Sequence, residues 1–238
     1  MRLKRIYLFL SFVLLIVIST NVIEVNAMNT GFSTEELSEE TKTTFVSSIN
    51  VSPLSAEPEK KGVLCFDVNE QGMIAVGQND SQCKEICVYT SQGEFLYGYT
   101  FNCTQSFCVE WDEQHVNIYF IRSDVIISVD SDGNILDIKS VRDTIDNNSY
   151  RNSLLYSTNR TVGNTTYLIR NNMGIFNWIA SSFSQIVTID ATGTESIIYD
   201  VNSMQLTKMI ITFGLICVFV LVTIAVVVWQ FIKLRRGN

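Results

Sequence analysis

Histidine occurs once in this chain, at His115, and proline twice, at Pro53 and Pro58. With one imidazole available, acid–base chemistry would fall to carboxylates. No G-x-S-x-G elbow, no Walker loop and no dinucleotide fingerprint is present, so no motif points to serine hydrolysis, nucleotide hydrolysis or hydride transfer. Basic residues are scarce between the two ends. Residues 28–208 hold 11 Lys and Arg against 23 Asp and Glu, a net charge of −12. An acidic body of this kind argues against nucleic acid and anionic lipid headgroups as partners, because both require basic patches.

Charge is missing altogether from residues 209–232, MIITFGLICVFVLVTIAVVVWQFI, and Lys233, Arg235 and Arg236 follow at once. A helix rising ~1.5 Å per residue needs about 20 apolar residues to cross a ~30 Å hydrocarbon core, so this segment is long enough. The basic cluster reads as a stop-transfer signal that stays in the cytoplasm. At the other end a basic start (MRLKR), an apolar run over 6–18 and small Ala27 describe a secretory signal peptide; an uncleaved anchor is the alternative. The expected organisation is a signal peptide or anchor (1–27), a flexible Ser/Thr/Glu-rich linker (28–61), a β ectodomain (62–205), a transmembrane helix (208–232) and a short basic tail (233–238). The protein is expected in the cell membrane, with its ectodomain outside and its C-terminus in the cytoplasm.

The linker assignment rests on composition: no apolar period persists across 28–61, and its few aromatic residues offer little surface to bury. A short helix around 35–41 is compatible with a cap at Ser33 or Thr34. From Gly62 onward the pattern changes to runs of β-branched and aromatic residues separated by turn signals, as in VLCFDV (63–68), MIAVG (73–77), SFCVEW (106–111) and HVNIYFI (115–121). No helical period of useful length competes before the membrane segment.

Two stretches align with each other. CFDVNEQGMIAV from Cys65 matches CVEWDEQHVNIY from Cys108, and ICVYTSQGEFL from Ile86 matches IISVDSDGNIL from Ile126; a weaker copy is IVTIDATGTESI from Ile186. Each carries a strand, polar residues and then Gly93, Gly133 or Gly193, where a tight hairpin needs positive φ. Four strands in ~40–45 residues make one propeller blade, and the pattern resembles β-propeller repeats of the WD40, NHL and YVTN kind over about 62–201. That resemblance implies an all-β ectodomain of about three four-stranded antiparallel repeats, too few for a closed ring. A β-sandwich of hairpins is the alternative. Edges left open by an incomplete ring imply a homo-oligomer or a membrane protein partner.

Five cysteines lie outside the membrane segment. If residues 91–93 form a hairpin turn, Cys83 and Cys103 come nearly opposite each other, which makes them the disulfide candidate. Cys65 and Cys108 hold equivalent positions and read as packing residues. The C-x3-C and C-x4-C spacings do not form a zinc pattern, and Asp130-Ser-Asp132-Gly133-Asn134 reads as a turn in preference to a calcium loop. No catalytic, metal or cofactor site is assigned. Asp67, Glu110 and Asp112 are carboxylates on strands and read as solvated faces; Tyr97, Tyr99, Trp111 and Trp178 could form a binding surface, with core packing the preferred reading for most of them. Together these features predict a non-catalytic, membrane-anchored binding or scaffold module for a protein or glycan. The alternative is a sensor subunit that signals through a partner membrane protein, and a carboxylate-based hydrolase ranks third.

Overall fold

A computed structural model describes residues 28–79 and 83–236. The segment expected to be a signal peptide or anchor, 1–27, lies outside the described residues. The fold consists of three antiparallel sheets and a long C-terminal helix. Among the described residues the sheets close neither a barrel nor a propeller.

In chain order the elements are β1 (Thr34–Glu36), α1 (Glu39–Ile49), β2 (Ser52–Pro53), β3 (Val63–Val68), β4 (Ile74–Asn79), β5 (Lys84–Tyr89) and β6 (Phe95–Phe101). Then come β7 (Phe107–Asp112), β8 (His115–Phe120), β9 (Val125–Val129), β10 (Ile135–Val141) and α2 (Ile145–Tyr156). The chain ends with β11 (Asn159–Val162), β12 (Thr165–Arg170), β13 (Gln185–Ile189), β14 (Glu195–Asp200) and α3 (Asn202–Arg236). The sheets run β2-β6-β5-β4-β3, β1-β10-β9-β8-β7 and β11-β12-β13-β14. Each therefore contains four consecutive strands joined as a meander.

The first sheet is the middle layer. Ala75, Ile86, Val88, Tyr99 and Phe101 on one face pack with Phe107, Ile118 and Phe120 of the second sheet. Phe66, Ile74, Val76 and Tyr89 on the other face pack with Tyr167, Ile169, Ile186 and Tyr199 of the third. A sheet covered on both faces needs continuous apolar runs, which explains why β4 and β5 do not alternate with polar residues.

Residues 28–61 do not form the expected flexible linker. β1 pairs with β10, placing Thr34 opposite Val141, and β2 pairs with β6, placing Ser52 opposite Thr100. Met28, Phe32 and Ile49 are buried, and the Phe32 ring lies 4.6 Å from Tyr119 and 4.9 Å from Tyr150. A few well-placed apolar residues hold a polar segment when two outer strands offer unpaired N–H and C=O groups to it. The same pairing covers part of the outer edges of β10 and β6 with short strands. The helix in this segment starts later than expected, capped by Ser38 in place of Ser33 or Thr34. A second helix, α2, lies in an Asn- and Ser-rich stretch over residues 146–166, DNNSYRNSLLYSTNRTVGNTT. Thr144 caps it, and buried Asn147 ties it to the N-terminal segment through Ser33 and to Arg142.

The hairpin glycines behave as anticipated. Gly93, Gly133 and Gly193 all have φ of +84°. In each turn the side chain of Thr90, Asp130 or Asp190 accepts from the N–H groups two and four residues later. The Asp130 carboxylate is thus occupied by its own turn.

The apolar segment lies within α3, whose Asn202–Lys233 stretch is the one helix among the described residues long and apolar enough to cross a membrane. It starts earlier than the expected 208 and belongs to the domain at its base. The Asn202 N–H donates to Asp200, Met204 packs on the third-sheet core, and Gln205 donates to Ser182.

Candidate binding cleft

The opening strands of the three sheets, β3, β7 and β11, meet beside the middle sheet, and Asp67 of β3 stands where they converge. Its Oδ2 accepts the backbone N–H of Trp111 at 2.8 Å, and its Oδ1 accepts Nε–H of Arg160 at 2.8 Å. Its carbonyl accepts Nε1–H of Trp111 at 3.2 Å. The Asp67 and Arg160 side chains are only 14% and 17% exposed, so their attraction is weakly screened. The Arg160 guanidinium also lies 5.3 Å from the centre of the Phe66 ring.

Glu110 organises the wall beside this junction. It accepts from Thr30 Oγ1 at 2.6 Å, from the Gly31 N–H at 3.0 Å and from the Tyr150 hydroxyl. Burial, and then the Glu110 carboxylate that it faces, raise the Tyr150 phenol above its ordinary range, so the phenol remains a donor. Asp112 Oδ2 accepts the Asn29 N–H at 2.8 Å. All three strand carboxylates therefore hold donors from the protein itself, and they act as fasteners between distant segments.

Two hollows flank the junction and share Asp67 and Trp111 in their walls. One, of about 470 Å³, is lined by Glu110, Tyr150, Ser153, Asn159 and Arg160. The other, of about 620 Å³, is lined by Asn29, Asn69, Gln71 and Gln114. Arg160 spends Nη1 on the Asn159 carbonyl, but its enclosed Nη2 has no hydrogen-bond partner among the described residues. A buried donor left unsatisfied is costly, and the Phe66 ring beneath the guanidinium offsets part of that cost.

The structure separates the aromatic candidates. Trp111 lines the cleft, Tyr99 is fully buried, and Trp178 is 83% exposed on a loop of the third sheet. Arg160 and Tyr150 were not legible as site residues. They lie in the Asn- and Ser-rich stretch, and only the packing of β11 and α2 brings them to Asp67 and Glu110.

Cys65 and Cys108 are buried together in the core between the first two sheets. Burial pushes the Cys65 thiol up to about 12. Cys83 immediately precedes β5 and Cys103 follows β6, just beyond the final ladder pair of Lys84 and Phe101. Among the described residues no three His, Cys, Asp or Glu side chains gather as a metal-binding group.

No known family model matches this chain, and no curated protein is significantly similar to it.

Proposed function

We propose that this chain is a membrane-anchored, extracytoplasmic β-repeat module that binds or scaffolds a protein or glycan partner without catalysing a reaction. The cleft where the three sheets converge, walled by Trp111, Tyr150, Ser153, Asn159 and Arg160, carries this reading. Ser153, Ser157 and Asn159 offer hydrogen-bonding groups there, and Trp111 and Tyr150 supply rigid flat surfaces beside them. The engagement of Asp67, Glu110 and Asp112 with protein donors supports a binding role, because a general base must be open to a substrate proton. The three four-stranded meanders with matching hairpin turns are compatible with propeller-like repeats arranged as an incomplete ring.

A photo-crosslinking residue at Ser153, on the cleft wall, tests this in full-length protein on cells. Partner adducts should form from Ser153 and be absent from the same crosslinker at exposed Ser47 on α1. Equal labelling from both positions, or none from Ser153, would remove the cleft as the partner site.

A second reading is supported by the absence of a linker before the membrane segment: only Val201 separates β14 from α3, which docks on the domain. Such a joint would transmit a tilt of the domain into the helix of a sensor subunit. Replacing residues 209–232 with an unrelated apolar span distinguishes the two. A scaffold keeps its partner and its downstream effect, whereas a sensor keeps the partner and loses the effect.

A further inference from the structure

Gly174–Ile179, with sequence GIFNWI, forms a short 3-10 turn between β12 and β13. Its apolar side chains point outward: Ile175 is 77% exposed, Trp178 83% and Ile179 46%. The exception is Phe176, whose ring meets Phe213 of α3 edge-on at 6.2 Å between centroids. Phe213 belongs to the charge-free run and lies five residues beyond Lys208, the last charged residue before it. At ~1.5 Å per residue the contact is roughly 7 Å past that lysine along the helix.

We infer that this loop inserts into the lipid leaflet next to the domain, as a second membrane contact beside α3. The inference rests on α3 crossing a bilayer, as the proposed function requires. Four observations converge on it. The loop is fixed to α3 at a depth of roughly 7 Å, within the ~5–10 Å to which interfacial segments bury their apolar faces. No charged residue occurs from 171 to 189, so insertion desolvates no charge. Trp178 is the residue type that prefers the interface, with an apolar ring and one N–H for the headgroup region. Trp229, carrying Lys233 over its ring at 5.4 Å, marks the opposite end of the span. The Phe213 level and Trp229 are separated by roughly 24 Å of helix, comparable to a ~30 Å hydrocarbon core bounded by aromatic belts.

Two contacts constrain what one does not. A domain held only by α3 would be free to tilt over the membrane with the helix, whereas the loop fixes which side of the third sheet faces the lipid. The loop itself offers no cation, so its insertion does not require an anionic headgroup.

Brominated phosphatidylcholine vesicles holding the full chain test the inference through tryptophan emission. Trp229→Phe protein retains Trp111 and Trp178, and Trp178→Phe/Trp229→Phe protein retains Trp111 alone, so their difference isolates Trp178. The expected result is blue-shifted Trp178 emission, quenched at least twofold, and more strongly by bromines near the headgroup end of the chains than by those near the terminus. Water-like emission unaffected by bromine would overturn the inference. A blue shift that grows with protein density but ignores bromine would also overturn it, in favour of contact between copies. Trp229 emission in Trp178→Phe/Trp111→Phe protein is the control for the span. If Trp229 is quenched and Trp178 is not, the loop fails while the anchor stands; if neither is quenched, both fail.

Discussion

Asp67 and Arg160 lie 93 residues apart in sequence, yet the Arg160 Nε–H donates to Asp67 Oδ1 at 2.8 Å and ties the third sheet to the first. The same carboxylate holds the Trp111 N–H and so ties in the second sheet. One side chain on the middle layer thus fastens both flanking layers.

Removing that carboxylate should loosen all three sheets. Asp67→Ala leaves Arg160 and the Trp111 N–H without their acceptor, at an expected cost on the order of 2–4 kcal/mol. Arg160→Ala alone should cost less, because Asp67 retains Trp111. Chemical denaturation of the two single variants and the double variant measures this, with a coupling energy above about 1 kcal/mol expected for a direct pair. Additive effects would mean that the pair does not interact.

The three turn glycines share one φ but not one environment, so alanine should rank them. Gly193→Ala meets no atom within 4 Å and should cost only the backbone term, about 1–2 kcal/mol. At Gly133 the nearest atom to an added Cβ is Pro53 N at 3.4 Å, so the cost should be similar. At Gly93 the added Cβ would collide with the Ile198 carbonyl oxygen, a rigid backbone atom between the first and third sheets. Gly93→Ala should therefore be the most destabilising by thermal melting. Equal losses at all three would show that the collision relaxes.

The N-terminal segment should prove essential to folding. Phe32→Ala removes a ring packed between Tyr119 and Tyr150 and should cost about 3–5 kcal/mol. A protein with residues 28–61 deleted would expose the outer edges of β6 and β10, and it should aggregate when sedimented. A soluble, cooperatively folding deletion would show that the segment is decorative.

Buried thiols and phenols set an alkaline limit. Burial pushes Cys65 and Cys87 up to about 12 and Tyr99 well above its ordinary value. In the unfolded chain a thiol ionises near 8.5 and a tyrosine near 10. Between those values and 12 the folded state binds more protons than the unfolded state, so stability falls as pH rises. Denaturation midpoints should be flat with respect to these groups below about pH 8 and decline from about pH 9 towards 12. Iodoacetamide at pH 8 should leave Cys65, Cys87 and Cys108 unlabelled until the protein unfolds.

Cys83 and Cys103 should yield a linked peptide in material from an oxidising compartment, because they flank the end of the β5–β6 ladder. Mapping of non-reduced peptides that finds Cys103 linked elsewhere, or alkylated, would refute that pairing.

The sequence by itself determined the local elements of this protein. The charge-free run defined the helix suited to a membrane, and β-branched runs and glycines placed the hairpins; Asp67 and Glu110 read from the strand pattern only as solvated faces. Each of these is a short-range signal, read from periodicity or from one residue's φ preference. Tertiary structure decided the rest: the middle position of the first sheet, the capture of β1 and β2, the helix α2, and the arrival of Arg160 and Tyr150 at the cleft. Those outcomes depend on pairing partners far apart in the chain, such as Thr34 with Val141. A polar segment reads as a linker until two outer strands supply the hydrogen bonds that hold it, and composition carries no record of those strands.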